Sequence, residues 1–307
     1  MTGTNSTWTA AAVTALTACA LSASAAPARA QEAGGATLPV QWEELTAPDF
    51  VRAIERSGGT VVIPLGIVEK HGPHLPLGTD MINVREIAVR AAREEYAVVF
   101  PPFYAGQIFE ARHQPGTLSY SERLMWDLLQ ETVDEIARNG AKKIILANGH
   151  GGNNSFLPFF CQAQLARRRD YAVLLYQPAN DPEAADDIQS LRKTAMDMHG
   201  GEVETSTVLA HRPDLVHPER AGDQSGADQA RLGLKDGYTA IWWYARFPNH
   251  YAGDGSPANR PLGEKVLEAQ VKQLAAFIRA VKADAKVLEL QKQFFEQAET
   301  PLKTPQR

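Results

Sequence analysis

Short runs of β-branched and apolar residues alternate with longer segments of helical periodicity along most of this sequence. Four such runs are typical of buried strands, at 60–67, 97–100, 143–147 and 172–176. Apolar residues recur at helical spacing over 83–96, 121–139, 153–169 and 262–286. Strands that alternate with helices favour a parallel sheet, because each parallel connection needs a crossover. We therefore expect an α/β fold whose largely parallel sheet is covered by helices on both faces.

Composition excludes several classes of protein. The chain has 307 residues, of which 44% are hydrophobic, enough to bury a core. No stretch of the sequence has the composition of a linker, so we expect one domain after the N-terminal segment. A formal net charge of −5 argues against a protein that neutralises nucleic-acid phosphates. Only two cysteines are present, which excludes a disulfide scaffold.

The first 30 residues have the character of an export signal. Arg29 is their only charged side chain, and the apolar stretch 10–21 is too short to span a membrane. The small-x-small sequence 28–30 predicts cleavage before Gln31 and a periplasmic or secreted protein. A second interpretation remains open, because residues 16–19 resemble a lipobox and would make Cys19 a lipid anchor. We expect a flexible leader at 31–38, the functional domain at 39–287 and a C-terminal helix or tail at 288–307.

Possible metal ligands follow the first predicted strand. Ligands of open parallel sheets bind beyond the carboxyl ends of the strands, so functional residues are expected directly after each strand. Glu69 and His71 lie two residues apart in an extended segment, where their side chains point the same way. A glycine-proline turn then lets Asp80 return to them. Two carboxylates and an imidazole suit a divalent transition metal, and a carboxylate that bridges suits two.

Two further clusters carry histidine. The glycine-rich loop 148–153 follows the third strand and contains His150, and the segment 197–206 contains His199, Glu202 and Glu204. Each cluster also has an interpretation that needs no metal. A single loop histidine can serve a structural hydrogen bond, the loop could cradle a phosphate, and the two glutamates could favour the first turn of a helix through its dipole. The coincidence of all three clusters at strand ends and a helix start is what favours a metal site.

These segments resemble the motifs of the creatininase family. The pattern E-x-H-G-x-H-x-P-x-x-T-D fits 69–80, N-G-H-G-G-N fits 148–153 and H-G-G-E-x-E-T-S fits 199–206. The loop 113–119 and the turn 253–258 add further matches, and their order agrees from about Val40 to Lys286. The resemblance implies a three-layer α/β/α fold, commonly assembled as a hexamer. It also implies a hydrolase of non-peptide or cyclic amide C–N bonds in a small molecule that uses two divalent metals, Zn or Mn with Fe as an alternative.

The resemblance also implies a set of metal ligands. Glu69, Asp80 and His150 would bind one metal, and His71 would share Asp80 in binding the other. Creatinine-hydrolysing members have a further glutamate ligand at the position of Gly152. Because this chain has a glutamate at 202 where those members are apolar, we expect Glu202 to supply the missing carboxylate.

The same resemblance assigns catalytic and substrate-binding roles. His199 matches the catalytic histidine, and Glu204 matches a nearby acid that would orient its ring. Two tryptophans that close over creatinine are replaced by Gln177 and Ala195, so creatinine is not the expected substrate. We expect Gln177, His74 and His113 to contact the substrate. His211, His217 and His250 show no partner pattern, and a surface position is the expectation for them.

The predicted reaction is attack by a metal-bridged hydroxide on the amide carbon, with His199 protonating the leaving nitrogen. Other activities remain open: a peptidase-like member, or a lactone or ester hydrolase that uses the same metals. An exported protein that binds metal or ligand without turnover is the alternative outside enzymes.

Overall fold

Four parallel strands form the central sheet of the computed structural model, which describes residues 38–178 and 181–306. The strands are β1 (Thr60–Leu65), β2 (Val98–Val99), β3 (Lys143–Asn148) and β4 (Ala172–Leu175). They lie in the order β2-β1-β3-β4, with Val61 beside Val98 and Ile144. All four strands therefore follow the predicted runs. The proposed signal and Cys19 lie outside the described residues.

Helices cover both faces of the sheet. They are α1 (Ala47–Arg56), α2 (Thr79–Glu94), α3 (Glu122–Arg138), α4 (Phe156–Ala163), α5 (Pro182–Leu191), α6 (Glu202–His211), α7 (Trp242–Arg246), α8 (Arg260–Ala283) and α9 (Lys286–Ala298). The Ser121 and Asn259 side chains cap α3 and α8 by accepting N–H groups of the first turn.

Alternate residues of the strands supply two cores. Val62, Val99 and Ile145 pack with apolar side chains of α2 and α8 on one face. Val61, Ile63 and Ile144 pack with α3 and α4 on the other face. Because successive strand residues point to opposite sides, an uninterrupted apolar run such as β1 is buried on both. The expected three-layer α/β/α architecture is confirmed.

Two predicted helices differ from those observed. The segment 153–169 is divided into a 3₁₀ turn at Gly151–Asn154, the short helix α4 and a second 3₁₀ turn at Gln164–Ala166. Pro158 has no N–H and is accommodated in the first turn of α4, which prevents an earlier helical start. The predicted helix 262–286 ends at Ala283, and Asp284 then accepts the N–H of Val287 to begin α9.

Close backbone contact brings the start of α2 to the end of β1. A Cβ on Gly66 would lie 2.3 Å from the backbone nitrogen of Met81, so only glycine permits this approach. Asp80, in the first turn of α2, is thereby placed beside the loop that follows β1. Among the described residues, no helix is both long and apolar enough to cross a membrane.

Candidate metal centre

Glu69, His71 and Asp80 converge beyond the carboxyl end of β1. The turn between them is closed by a hydrogen bond from the Glu69 N–H to the Leu77 carbonyl, 2.9 Å long. Nε2 of His71 lies 2.9 Å from Oδ1 of Asp80. The other ring nitrogen, Nδ1, lies 3.2 Å from the backbone carbonyl oxygen of Glu69. All three side chains are at most 4% exposed.

His150 joins this group from the loop after β3. Its Nδ1 lies 2.8 Å from Oε1 of Glu69 and 2.9 Å from Oδ2 of Asp80, and its Nε2 donates to the carbonyl of Gln107 at 2.7 Å. Asp80 thus faces His71 with one oxygen and His150 with the other. The four residues are brought together as the sequence predicted.

The donor atoms fit a metal centre. Oε1 of Glu69 and Oδ2 of Asp80 are buried without a hydrogen-bond donor of acceptable geometry. Such orphaned oxygens are costly unless a cation or donor meets them. Each histidine also directs its second ring nitrogen to a backbone carbonyl, the arrangement that orients metal-ligating imidazoles. Ligand atoms of Glu69, Asp80 and His150 lie within 4.8 Å of one another, and so do those of His71, Asp80 and Glu204.

Neighbouring charges strongly shift the pKa values of the residues in this cluster. Burial would lower the pKa of His71, but Asp80, Glu69 and Glu204 outweigh it and raise that pKa to about 10. Burial likewise opposes protonation of His150, whose pKa Glu69 and Asp80 nevertheless hold well above its usual range. Burial would raise the pKa of Glu69, yet the charges of His199 and His150 keep it well below its usual range. The carboxylates thus favour positive charge at this cluster, which is the electrostatic setting that suits a divalent cation.

Glu202 and Glu204 direct their carboxylates to different parts of the structure. The Glu202 carboxylate is buried and accepts the N–H of Lys193 at 2.8 Å and that of Thr194 at 2.7 Å. Our prediction of Glu202 as a metal ligand is therefore wrong, because backbone donors already occupy its oxygens. Oε2 of Glu204 lies instead 3.9 Å from Nε2 of His71. Glu204 also accepts the Gly200 N–H at 2.5 Å.

Gly152 shows why the additional carboxylate must come from elsewhere. A Cβ at this position would lie 2.4 Å from Nε2 of His150 and 2.6 Å from the Gln107 carbonyl oxygen. A side chain would therefore break the hydrogen bond that orients His150. Position 152 therefore offers no room for a glutamate.

His199 lies against the same cluster, in a short antiparallel bridge with Ala252. Its ring is 4.2 Å from that of His71, and its Nε2 donates to the Lys70 carbonyl at 2.8 Å. This bond orients the ring through a backbone carbonyl, whereas Glu204 accepts the Gly200 N–H and faces His71, so the role expected of Glu204 at His199 stays a prediction. A backbone carbonyl can only accept a hydrogen bond, so Nε2 of His199 carries a proton.

Two cavities adjoin the cluster at the carboxyl ends of β3 and β4. Asp80 and Glu204 line one of about 150 Å³. His150 lines the other, of about 490 Å³, together with Gln177. Tyr176 and Gln270 border both cavities. Gln177 is thus placed where a contact with substrate is possible.

The other two predicted substrate contacts lie elsewhere. His74 is 1% exposed, and its Nε2 is hydrogen-bonded to Oγ1 of Thr205 at 2.8 Å. We therefore correct its assignment to a structural one. His113 is exposed and borders a separate groove of about 940 Å³, which is lined mainly by aromatic and apolar residues and by none of the metal-ligand candidates.

His250 is the residue that the sequence analysis missed. It is 2% exposed, not at the surface, and its Nε2 donates to Oε2 of Glu69. Burial lowers the pKa of His250 to about 4, so its ring is neutral. A lone histidine after Pro248 and Asn249 carries no motif, and only the fold brings it to Glu69, 181 positions earlier in the chain.

Comparison with known proteins agrees with this geometry. The creatininase family profile, described as creatinine amidohydrolase, matches residues 43–278. Creatinine amidohydrolase of Pseudomonas putida is 27% identical over 258 residues, which cover 77% of this chain and 95% of that protein. A mycofactocin precursor peptide peptidase of Mycolicibacterium smegmatis is 32% identical over 162 residues, 51% of this chain and 59% of that protein.

A solved structure described as "Creatininase Mn" superposes with a TM-score of 0.67 at 25% identity, covering 80% of this chain and 99% of that one. The profile match covers most of the described residues, and the superposed structure shares the fold. The chain belongs to the creatininase family of amidohydrolases.

Proposed function

We propose that this protein hydrolyses an amide C–N bond of a small polar molecule other than creatinine, with two divalent metal ions. The observation that carries this proposal is Asp80, whose two oxygens face two separate ligand groups. Glu69, Asp80 and His150 would hold one ion, and His71, Asp80 and Glu204 the other. Zn or Mn suits this set of nitrogen and oxygen donors, and Fe is an alternative.

Bound divalent ions polarise an amide carbonyl and acidify a coordinated water. The protein's own side chains would orient the reactants and move protons. His199 keeps Nε2–H on the Lys70 carbonyl, so Nδ1 is the atom that would take a proton and return it to the leaving nitrogen. The buried walls around Glu69 and His71 would exclude bulk water from this exchange.

The cavity beside His150 supports a substrate other than creatinine. By the family resemblance, Gln177 and Ala195 replace the tryptophans that close over creatinine, so a flat cyclic substrate would lose its stacking partners. Gln177 and Gln270 instead offer amide groups that suit a polar substrate. Peptide hydrolysis is the second candidate, because a curated relative is a peptide peptidase.

Metal analysis and a substrate panel test the proposal. We expect about two divalent ions per chain and release of amine from at least one cyclic ureide, formamide, simple amide or short peptide. Lactones and esters belong in the panel as competitors. His199→Ala should keep both ions and lose turnover, which separates catalysis from binding. A metal-loaded wild-type protein that hydrolyses none of these compounds would favour a binding protein.

We also propose export and assembly. The composition of residues 1–30 supports removal of a signal before Gln31, whereas attachment of lipid to Cys19 is the alternative. Mass spectrometry of the mature N-terminus in the native host distinguishes the two, and an intact residue 1 would contradict both. A homo-oligomer, a hexamer by family resemblance, is expected in sedimentation experiments.

A further inference from the structure

His250 adopts a left-handed backbone conformation, which is unfavourable for a residue with a side chain. Its φ is +50°, in the left-handed region that L-residues other than glycine rarely adopt. Ala230 and Asp236 share a positive φ but are exposed. Among the described non-glycine residues with positive φ, His250 alone is buried. Uncommon backbone geometry persists where surrounding contacts over-determine it, often at functional sites.

Two hydrogen bonds fix the His250 ring and its tautomer. The indole Nε1–H of Trp243 donates to Nδ1 of His250 at 2.9 Å. An indole nitrogen can only donate, so Nδ1 must be the acceptor and Nε2 must carry the proton. Nε2–H then points to Oε2 of Glu69. The hydrogen bonds therefore run in one direction: Trp243 donates to His250, and His250 donates to Glu69.

These two hydrogen bonds fix the orientation of the Glu69 carboxylate. Oε2 accepts the proton of His250, which leaves Oε1 directed at Nδ1 of His150, 2.8 Å away, without a hydrogen-bond donor of its own. A carboxylate free to rotate would offer either oxygen. Held by His250, it presents one chosen oxygen to the candidate metal position.

Backbone contacts hold the histidine itself. The His250 N–H donates to the Phe247 carbonyl at 3.0 Å, within the turn that follows α7. The Trp243 ring packs against Phe247, with 4.9 Å between centroids, and its edge meets His199 at 5.9 Å. The indole is thus anchored on one side by the turn and on the other by the proposed proton carrier.

We propose that His250 and Trp243 are positioning residues that orient Glu69 as a metal ligand. The unfavourable left-handed backbone at 250 is tolerated because it places the imidazole against Glu69. The proposal rests on the proposed function to the extent that Glu69 binds metal. It assigns a role to two side chains outside the ligand set.

Metal affinity, measured by chelator competition with Zn²⁺ and with Mn²⁺, tests this role directly. His250→Gly removes the imidazole and relieves the backbone, so we expect the protein to fold while its metal affinity falls by about 10–100-fold, the effect of losing an outer hydrogen-bond partner. Trp243→Phe keeps the ring packing and removes one donor, for an expected loss of about 2–10-fold. Saturating metal should restore turnover in both variants, which a merely structural defect would not allow.

The double variant tests whether the two residues act in series. Because Trp243 is proposed to act through His250, Trp243→Phe should weaken metal binding no further in the His250→Gly background. His217→Ala is the control, since it removes an imidazole that is 45% exposed and paired only with Glu219. It should leave metal affinity unchanged.

The outcomes separate the two proposals. If the wild-type protein binds neither ion, the proposed function fails and the positioning role fails with it. If the wild type binds metal and His250→Gly binds it equally well, only the positioning role is overturned. Should His250→Gly fail to fold, unchanged metal affinity in Trp243→Phe would overturn it. Additive losses in the double variant would refute action in series.

Discussion

Two pairs of residues, each two positions apart in the sequence, differ in where their side chains point. Glu69 and His71 follow β1 in an extended segment, and both contribute to one ligand cluster. Glu202 and Glu204 lie in the first turn of α6, where one faces the backbone at 193–194 and the other faces His71. Spacing alone therefore does not determine where a pair of side chains points.

Backbone geometry explains the difference. Along a strand, residues two apart share a face. Along a helix of 3.6 residues per turn, they are separated by about 200°, and so they point to nearly opposite sides. Only one of Glu202 and Glu204 can reach the metal centre once α6 begins at Glu202. The functional choice between them is made by where the helix starts.

The largest expected effect is at Asp80, which faces the extended pair Glu69 and His71 from the first turn of α2. Asp80→Ala removes the carboxylate whose oxygens face both His71 and His150. We expect loss of both metal ions and of detectable activity, measured by elemental analysis and by turnover. Asp187→Ala, at an exposed carboxylate that pairs with Lys265, is the matched control. Full metal content in Asp80→Ala would refute the bridging role.

A smaller effect is expected on the helical side, at Glu204. Glu204→Gln keeps the shape of the side chain and an oxygen for the Gly200 N–H, but its neutral amide is a poor metal ligand. We expect one of two binding phases in a calorimetric titration to weaken by about 10-fold, equivalent to ~1.4 kcal/mol. Unchanged metal binding with slower turnover would instead support the original assignment of Glu204 to His199.

The sequence was sufficient for the sheet and for the convergence of Glu69, His71, Asp80 and His150 at its edge. Each strand is a short β-branched or apolar run, and both Glu69 and His71 belong to a segment whose period is known before the fold is. Asp80 could be added because a glycine-proline turn returns the chain, and His150 because the carboxyl ends of parallel strands share one edge. These inferences need only local patterns and a general rule about sheets.

Contacts set by tertiary packing were beyond the sequence. The targets of Glu202 are the backbone N–H groups of Lys193 and Thr194, which carry no sequence signal. His250 reaches Glu69 because its backbone is left-handed, a conformation that a histidine in the sequence does not predict. His74 lies inside a recognised motif, yet Thr205 on another element takes up its ring. A motif therefore identifies the segment, while packing decides which of its polar side chains face the site.

The smallest effect, at Glu202, makes the comparison sharpest. Glu202→Gln replaces a buried carboxylate that accepts two backbone N–H groups by an amide with a single acceptor oxygen. Because hydrogen bonds to a charged group contribute about 1.5–3 kcal/mol each, we expect the free energy of unfolding to fall by ~2 kcal/mol. Metal affinity should not change, since this carboxylate faces the segment 193–194 and not the cluster. Urea denaturation gives the first quantity and chelator competition the second. A variant with normal stability and weakened metal binding would show that Glu202, not Glu204, reaches the ions, and the helical argument would then be wrong.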